Sequence, residues 1–375
     1  MSERQWRDVV VGGQQTRLRV STAADGTAPY LWPSVGEYPV YDDYLYHVML
    51  EDEPRNRLFR DAIEQEAPGA TVVELGCGPD LLWTSHAAEA GAARLFAVDI
   101  DEDSAARAAE LAAGLPHDIE VFGGESTTVS LPRRADLCIA ELVGNIGGAE
   151  GIDAVLADAR QRHLEPGAAT IPSMVATRAA AVCLEDLLDG RYSVRPDFVD
   201  YVERLLVSAG GFFDLRFCVG NVDRSSLRTN DAVVEDLRLD EGTSTFPAVR
   251  LEVVGPGRVD GLLLWLNMRC APGQPVLDSL DTVTNWLPVY VPFTDREPFE
   301  VGDGDVIELA CVAKPAPDGI HPEYWFTGEL VRGDGTRTPL AAESRYADGP
   351  FRASRLHREL FESEPTAARR GGRGR

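Results

Sequence analysis

The segment TVVELGCGPDLLWTSHAAEAGA, residues 71–92, followed by RLFAVD, residues 94–99, constrains the fold of this chain more than any other. Val72, Val73 and Leu75 suit a buried parallel strand. Gly76 and Gly78 permit a tight turn and close backbone approach, and the stretch from Leu81 reads as a helix closing near Gly91. The second strand ends in Asp99, 23 residues after Gly76. Strand, glycine turn, helix, strand and acid in this order imply a parallel sheet with helices on both faces. In such sheets ligands bind beyond the carboxyl ends of the strands. An acid at the tip of the second strand is placed to bind a ribose diol.

The turn is not a full GxGxxG, because Asp80 and Leu81 occupy the region where a third glycine would fall. An added carboxylate there would repel a pyrophosphate at the helix N-terminus. A nucleoside cofactor without phosphate fits better, and S-adenosylmethionine has a ribose, an adenine and a sulfonium but no phosphate.

Downstream, the apolar run ADLCIA leads into ELVGNIGGAE, residues 141–150. Glu141 and Glu150 bracket Gly144, Gly147 and Gly148, so the segment reads as a bent loop at a strand end in which glycines let the chain turn back. Two carboxylates directed into one pocket need a cation between them, or one takes up a proton. A guanidinium meets that need best, since it is planar, bidentate and always charged. A solvated acidic turn is the alternative.

With these residues in hand, the chain resembles the protein arginine N-methyltransferases, from about Tyr41 to Phe361, as a divergent bacterial-type member. ELGCG is similar to the family's first cofactor motif, and Glu141 and Glu150 match its paired-glutamate loop in spacing. MLEDEPRN, residues 49–56, resembles the segment that closes over the cofactor. The resemblance implies that Arg55 binds the methionine carboxylate and that Asp52 lies near the reacting centre. It further implies that Gly76, Gly78 and Asp99 contact the cofactor, with Glu125 a substitute for the acid that contacts adenine. VTNW, residues 283–286, is similar to a Thr-His-Trp loop near the substrate entrance, which makes Trp286 an apolar wall. Asn285 stands where that loop has histidine, so no Asp–His relay with Asp52 is expected. The glycine turn carries one extra residue around Pro79 or Asp80, and Gly151 and Ile152 replace a small polar residue and a methionine.

The implied fold is α/β: a Rossmann-like class I methyltransferase domain followed by an antiparallel β-barrel-like domain with a helical insertion. The boundaries are 1–40 for an N-terminal extension, 41–172 for the cofactor-binding domain, 173–362 for the barrel with a helical arm at about 186–232, and 363–375 for an Arg/Gly tail. Residues 1–40 allow a small hairpin turning at Gly12 and Gly13. Tyr41, Tyr44 and Tyr46 divide between core and cofactor cover. The insertion reads either as a dimerisation arm, which makes a homodimer the expected assembly, or as a locally packed lid. The tail is either a solubilising segment or a substrate of its own enzyme.

A formal charge of −25 over 375 residues argues against nucleic acid and anionic membrane as partners and favours cationic substrates. Six scattered cysteines without a CxxC pair, and histidines without ligand spacing, predict free thiols and no metal site. No leader or membrane span is expected, which points to a cytoplasmic protein. The activity implied is methyl transfer from S-adenosylmethionine to a guanidino group, on arginine in protein or peptide or on free arginine. Two other readings stay open: a methyltransferase of the same fold acting on another small natural-product precursor, and a silent cofactor-binding scaffold.

Overall fold

The computed structural model describes residues 4–11, 14–21, 28–35, 48–190, 192–208, 215–294, 296–345 and 354–362. Gly12, Gly13, Tyr41, Tyr44, Tyr46 and the tail 363–375 lie outside the described residues.

The predicted strand–turn–helix–strand is realised as Thr71–Leu75, the helix Leu82–Glu89 and Arg94–Asp99. Thr71–Leu75 is buried along its whole length, as a strand covered on both faces should be. These strands belong to a parallel five-stranded sheet. From Thr71–Leu75 the sheet grows in one direction through Arg94–Asp99 to Ile119–Gly123, and in the other through Ala135–Ile139 to Leu164–Ile171. The direction of winding therefore changes between Thr71–Leu75 and Ala135–Ile139. The crevice at such a switch point is where ligands sit in this class of sheet. The glycine turn leaves one of these strands and the Glu141 loop leaves the other.

Beyond Ile171 the chain turns to antiparallel strands. An eight-stranded sheet is centred on Met174–Val182, Gly261–Arg269 and Val289–Pro292, with a four-stranded sheet built on Val306–Pro315 and Pro322–Val331. Gly261–Arg269 shows why a nearly continuous apolar run forms a strand here. Leu263 and Trp265 face one buried cluster, while Leu262 and Leu264 face another; the alternation has the period of two expected of a strand with both faces covered. Its far end joins the first domain, since Leu266 and Met268 share a core with Phe59, Val73 and Leu137. The two parts meet through this common apolar core.

The N-terminal residues do more than the sequence reading gave them. Arg4–Val11 and Gln14–Ser21 form the expected hairpin. Tyr30–Val35 continues past it and pairs with Leu215–Gly220, adding an edge strand to the eight-stranded sheet. Within the interval read as an arm, the helix Val199–Ser208 buries Val199, Tyr201 and Val202 in the same cluster as Val9, Leu18 and Val20 of this chain's own hairpin. That face is covered intramolecularly.

Candidate functional site

Three strand ends converge at the switch point. After Leu75 the backbone takes positive φ at Gly76 (80°) and Gly78 (61°). A Cβ on Gly76 would also lie 3.2 Å from the Leu142 side chain, next to Glu141. Leu81, in the region where a third glycine would fall, is itself left-handed (φ 50°) and fully buried. The apolar packing around this leucine holds it in the left-handed conformation. Asp99 is buried and accepts hydrogen bonds from the Gly78 amide at 2.7 Å and the Asp101 amide at 2.9 Å. Burial raises its carboxyl above the ordinary range, and the two amides pull it back.

Glu74, in the strand before the turn, accepts from the Thr84 amide at 2.7 Å and from the Thr84 hydroxyl. Burial, reinforced by the charges of Asp99 and Glu141, pushes its carboxyl up to about 8. It ties the strand Thr71–Leu75 to the helix Leu82–Glu89.

The helix Glu53–Glu66 begins with Asp52 as its N-cap, accepting from the Arg55 amide at 3.1 Å. The other Asp52 oxygen accepts from the backbone amide of Asn285 at 2.7 Å. The Asn285 side chain meanwhile donates to the Val48 carbonyl at 2.9 Å. Asn285 therefore fastens the 48–52 segment to the VTNW loop through fixed hydrogen bonds, where an imidazole would have offered a titratable link. Trp286 is buried and donates from Nε1 to the Val143 carbonyl at 2.8 Å, so the apolar wall is anchored to the glutamate loop itself.

Arg55 lies under this arrangement with 3% of its side chain exposed. Nη2 donates to Glu141 at 2.5 Å and Nη1 to Asn56 at 2.7 Å, while its guanidinium faces the rings of Trp83 and Trp286. Burial alone would lower its pKa, but Glu141 more than compensates and the net shift is upward. Its Nε is buried without a hydrogen-bond partner, a cost of about 1–3 kcal/mol that a bound anion could relieve.

Glu141, Glu150, Asp52 and Trp286 line one cleft of about 690 Å³, a size typical of small-molecule sites. The loop between the glutamates bends and turns over residues 145–150, as the sequence reading expected. Gly147 and Gly148 are absent from the positive-φ residues; the left-handed residue is Gly151 (φ 80°), at the start of the helix Ile152–Arg162. The two glycines are needed for close approach. A Cβ on Gly147 would collide with Val175, and one on Gly148 would sit 2.6 Å from a Glu235 oxygen.

Glu235 is a residue the sequence reading missed. It is fully buried, accepts from the Gly148 amide at 3.2 Å, the Thr177 hydroxyl at 2.5 Å and the Tyr324 hydroxyl at 2.8 Å. Thr177 in turn accepts from the Gly147 amide at 2.9 Å. A β-bulge between Val233 and Glu235, against Met174–Val182, re-aims this carboxyl toward the loop. Burial raises its pKa against the pull of these three donors. In sequence, VVEDLRL looks like an ordinary half-buried strand, and nothing in it signals the bulge.

Glu125 is exposed, and its backbone carbonyl accepts from the Thr128 and Val129 amides. The cleft is lined by Asp52, Glu141, Glu150 and Trp286. Arg55 is tied to it through Glu141. Gly76, Gly78 and Asp99 lie at the neighbouring strand ends and are not among its lining residues, and Glu125 lies just past the strand Ile119–Gly123. Among the described residues no cluster of His, Cys, Asp and Glu has metal-binding geometry, and no helix is long and apolar enough to cross a membrane. All six cysteines are buried free thiols.

No family model matches the chain. A protein of Arabidopsis thaliana named "Probable protein arginine N-methyltransferase 6" is 33% identical over 159 residues, covering 41% of this chain and 35% of that protein. An "Arginine N(omega)-methyltransferase" of Streptomyces achromogenes subsp. streptozoticus is 27% identical over 278 residues, covering 70% of this chain and 75% of that protein. Over these stretches the chain is similar to arginine N-methyltransferases. It spans about a third of the length of the plant relative and three quarters of the Streptomyces one. Solved structures agree on the fold. Arabidopsis thaliana protein arginine methyltransferase 10 aligns with TM-score 0.63 at 19% identity, over 80% of this chain and 97% of that one. The Trypanosoma brucei PRMT1 enzyme-prozyme complex with AdoHcy aligns with TM-score 0.62 at 19% identity, over 80% and 98%.

Proposed function

We propose that this protein methylates a guanidino group, using S-adenosylmethionine as the donor. The observation that carries the reading is the placement of Glu141 and Glu150 on one cleft, with Glu141 following the strand that pairs with the one leading into the glycine turn. Arg55 adds an internal example, because Glu141 already holds a guanidinium belonging to this chain.

The residues at the switch point fit the donor. The buried cation of Arg55 suits a carboxylate, and its Nε has a donor to spare. Gly76 and Gly78 hold the positive φ values that shape the turn. Asp99 uses two acceptor positions on amides, and a carboxylate offers about four, so oxygen lone pairs remain for ribose hydroxyls. When bound, S-adenosylmethionine supplies an electrophilic methyl group on a sulfonium.

The chain's own residues then have distinct tasks. Glu141 and Glu150 grip the guanidinium, draw its positive charge toward the nitrogens they contact and leave the third nitrogen facing the donor. Such orientation is worth several kcal/mol. Their charge also offsets the two cations brought together in a partly dry cleft. Trp286, pinned to Val143, excludes water from one side. Asp52, fixed by the Asn285 amide, adds negative charge without a titratable partner at 285, and the proton leaves the methylated nitrogen after transfer. Glu125 stays a candidate for the adenine end, and a homodimer is the proposed assembly.

The names of the two relatives allow either protein arginine or arginine itself. Purified protein incubated with donor carrying a labelled methyl and with L-arginine, Arg–Gly peptide or cell extract should transfer label to guanidino nitrogen, read by fragmentation mass spectrometry. Label on oxygen, carbon or an α-amine only would reject the reading.

A further inference from the structure

Residues 284–287 are held from two sides. Asn145, inside the glutamate loop, donates from its side-chain amide to the Leu287 carbonyl at 2.7 Å, next to the bond from the Trp286 indole to the Val143 carbonyl at 2.8 Å. At the other end the Asn285 main-chain amide donates to Asp52 at 2.7 Å, and its side chain donates to the Val48 carbonyl at 2.9 Å. Two bonds therefore run to the loop between Glu141 and Glu150. Two run to residues 48–52, which lead into the helix Glu53–Glu66 and Arg55.

The segment between these ends is stiff. The Trp286 amide donates to the Thr284 hydroxyl at 3.2 Å and the Leu287 amide to the Asn285 carbonyl at 3.0 Å, so the main-chain amides of 285, 286 and 287 are all engaged. Pro288 fixes the next φ, and its carbonyl accepts from the Val219 amide at 2.7 Å, which seats the segment on the strand Leu215–Gly220. Thr284 and Trp286 are buried. A packed, hydrogen-bonded segment of this kind passes a displacement at one end to the other.

The helix start also has a direct tie to the glutamate loop, from Arg55 to Glu141. That tie is shared once the donor carboxylate takes Arg55. The path through 284–287 uses neither Arg55 nor either glutamate. We propose that Asn145 is a positioning residue for methyl transfer: its bond to Leu287 completes a strut that keeps the glutamate loop in register with the donor-side helix while Arg55 is engaged. The kinetic consequence rests on the guanidino reading above; the strut itself does not.

The test uses the full chain as wild type, Asn145→Ala, Asn285→Ala and the double variant. Hydrogen exchange on the ligand-free protein reads the strut alone. In Asn145→Ala the Asn285 amide, whose partner is Asp52, should exchange about three- to tenfold faster, the contribution of one neutral hydrogen bond. Turnover at saturating donor and guanidino substrate should fall about three- to tenfold in each single variant, with donor affinity in calorimetry held within about twofold. The two ends act in series, so the double variant should be no slower than the slower single one, whereas independent contributions would multiply. Wild-type exchange at Asn285 in Asn145→Ala, wild-type turnover in that variant, or a multiplicative double variant overturns the proposal. Absence of guanidino transfer by the wild-type chain overturns the guanidino reading instead, and the exchange measurement still decides the strut.

Discussion

Replacing Glu235 by leucine tests whether the second domain sets the geometry of the glutamate loop. The carboxyl accepts from Gly148, Thr177 and Tyr324, and Thr177 accepts from Gly147. Leucine removes the acceptor for three buried donors, at about 1–3 kcal/mol each. Part of that loss is offset because a desolvated carboxyl is no longer buried, and the two hydroxyls can rotate toward other acceptors. The net loss of stability is about 2–5 kcal/mol. The kinetic effect is more diagnostic. Gly147 and Gly148 lie between the two glutamates, so releasing their amides lets Glu150 move relative to Glu141. A misplacement of about 1 Å costs about 100-fold in turnover. Donor affinity should hold within a few-fold, because Arg55, Gly76, Gly78 and Asp99 sit on other elements. Thermal unfolding, donor titration and initial rates below the unfolding transition separate these effects. A folded Glu235→Leu protein with wild-type turnover would refute the clamp. Glu235→Gln, which keeps one acceptor oxygen, should fall between the two.

Three further outcomes follow from the geometry. Gly148→Ala places a methyl against the Glu235 carboxyl and the Tyr324 hydroxyl, and should reduce turnover about tenfold or more with little change in donor affinity; this is read from the same rate and titration pair. Arg55→Ala should weaken donor binding by at least about tenfold in calorimetry, since it removes the buried cation assigned to the donor carboxylate. Glu74 has a folded pKa of about 8 against 4.5 for the ordinary group, so the folded state binds the extra proton between those values and stability falls as pH rises through that window. Glu74→Gln should remove about one proton from the pH dependence of unfolding between pH 4.5 and 8, measured by denaturant titration; an unchanged slope contradicts the assignment.

The parts of the fold visible in sequence were those fixed by local chemistry. Gly76, Gly78 and the buried run Val72–Leu75 announce a strand and turn because only such residues permit that backbone. Asp99 and Glu141 could be placed on one sheet edge because parallel strands deliver their ends to the same side. Residues whose role depends on distant partners were not visible. Glu235 reaches the loop through a bulge and a sequence separation of 87 from Gly148. Tyr30 and Trp32 reach the cleft because their strand pairs with Leu215–Gly220, a pairing no local pattern dictates. The glycines of the glutamate loop were recognised as turn residues; what the sequence could not show is that Gly147 and Gly148 also make room for Val175 and Glu235, or that the left-handed residue is Gly151. Asn285 was seen as a departure from histidine. In this chain it is bonded to Asp52 through its main-chain amide and to the Val48 carbonyl through its side chain.

The central claim is that Glu141 and Glu150 together hold a guanidinium for methyl transfer. Its most direct test is single-turnover transfer to the preferred guanidino substrate by Glu141→Gln and Glu150→Gln, with donor affinity measured on the same preparations. Each variant should lose about a thousandfold in the transfer rate, with donor affinity unchanged in Glu150→Gln and altered less than about tenfold in Glu141→Gln, whose partner is Arg55. Transfer at the wild-type rate in both variants would contradict the account.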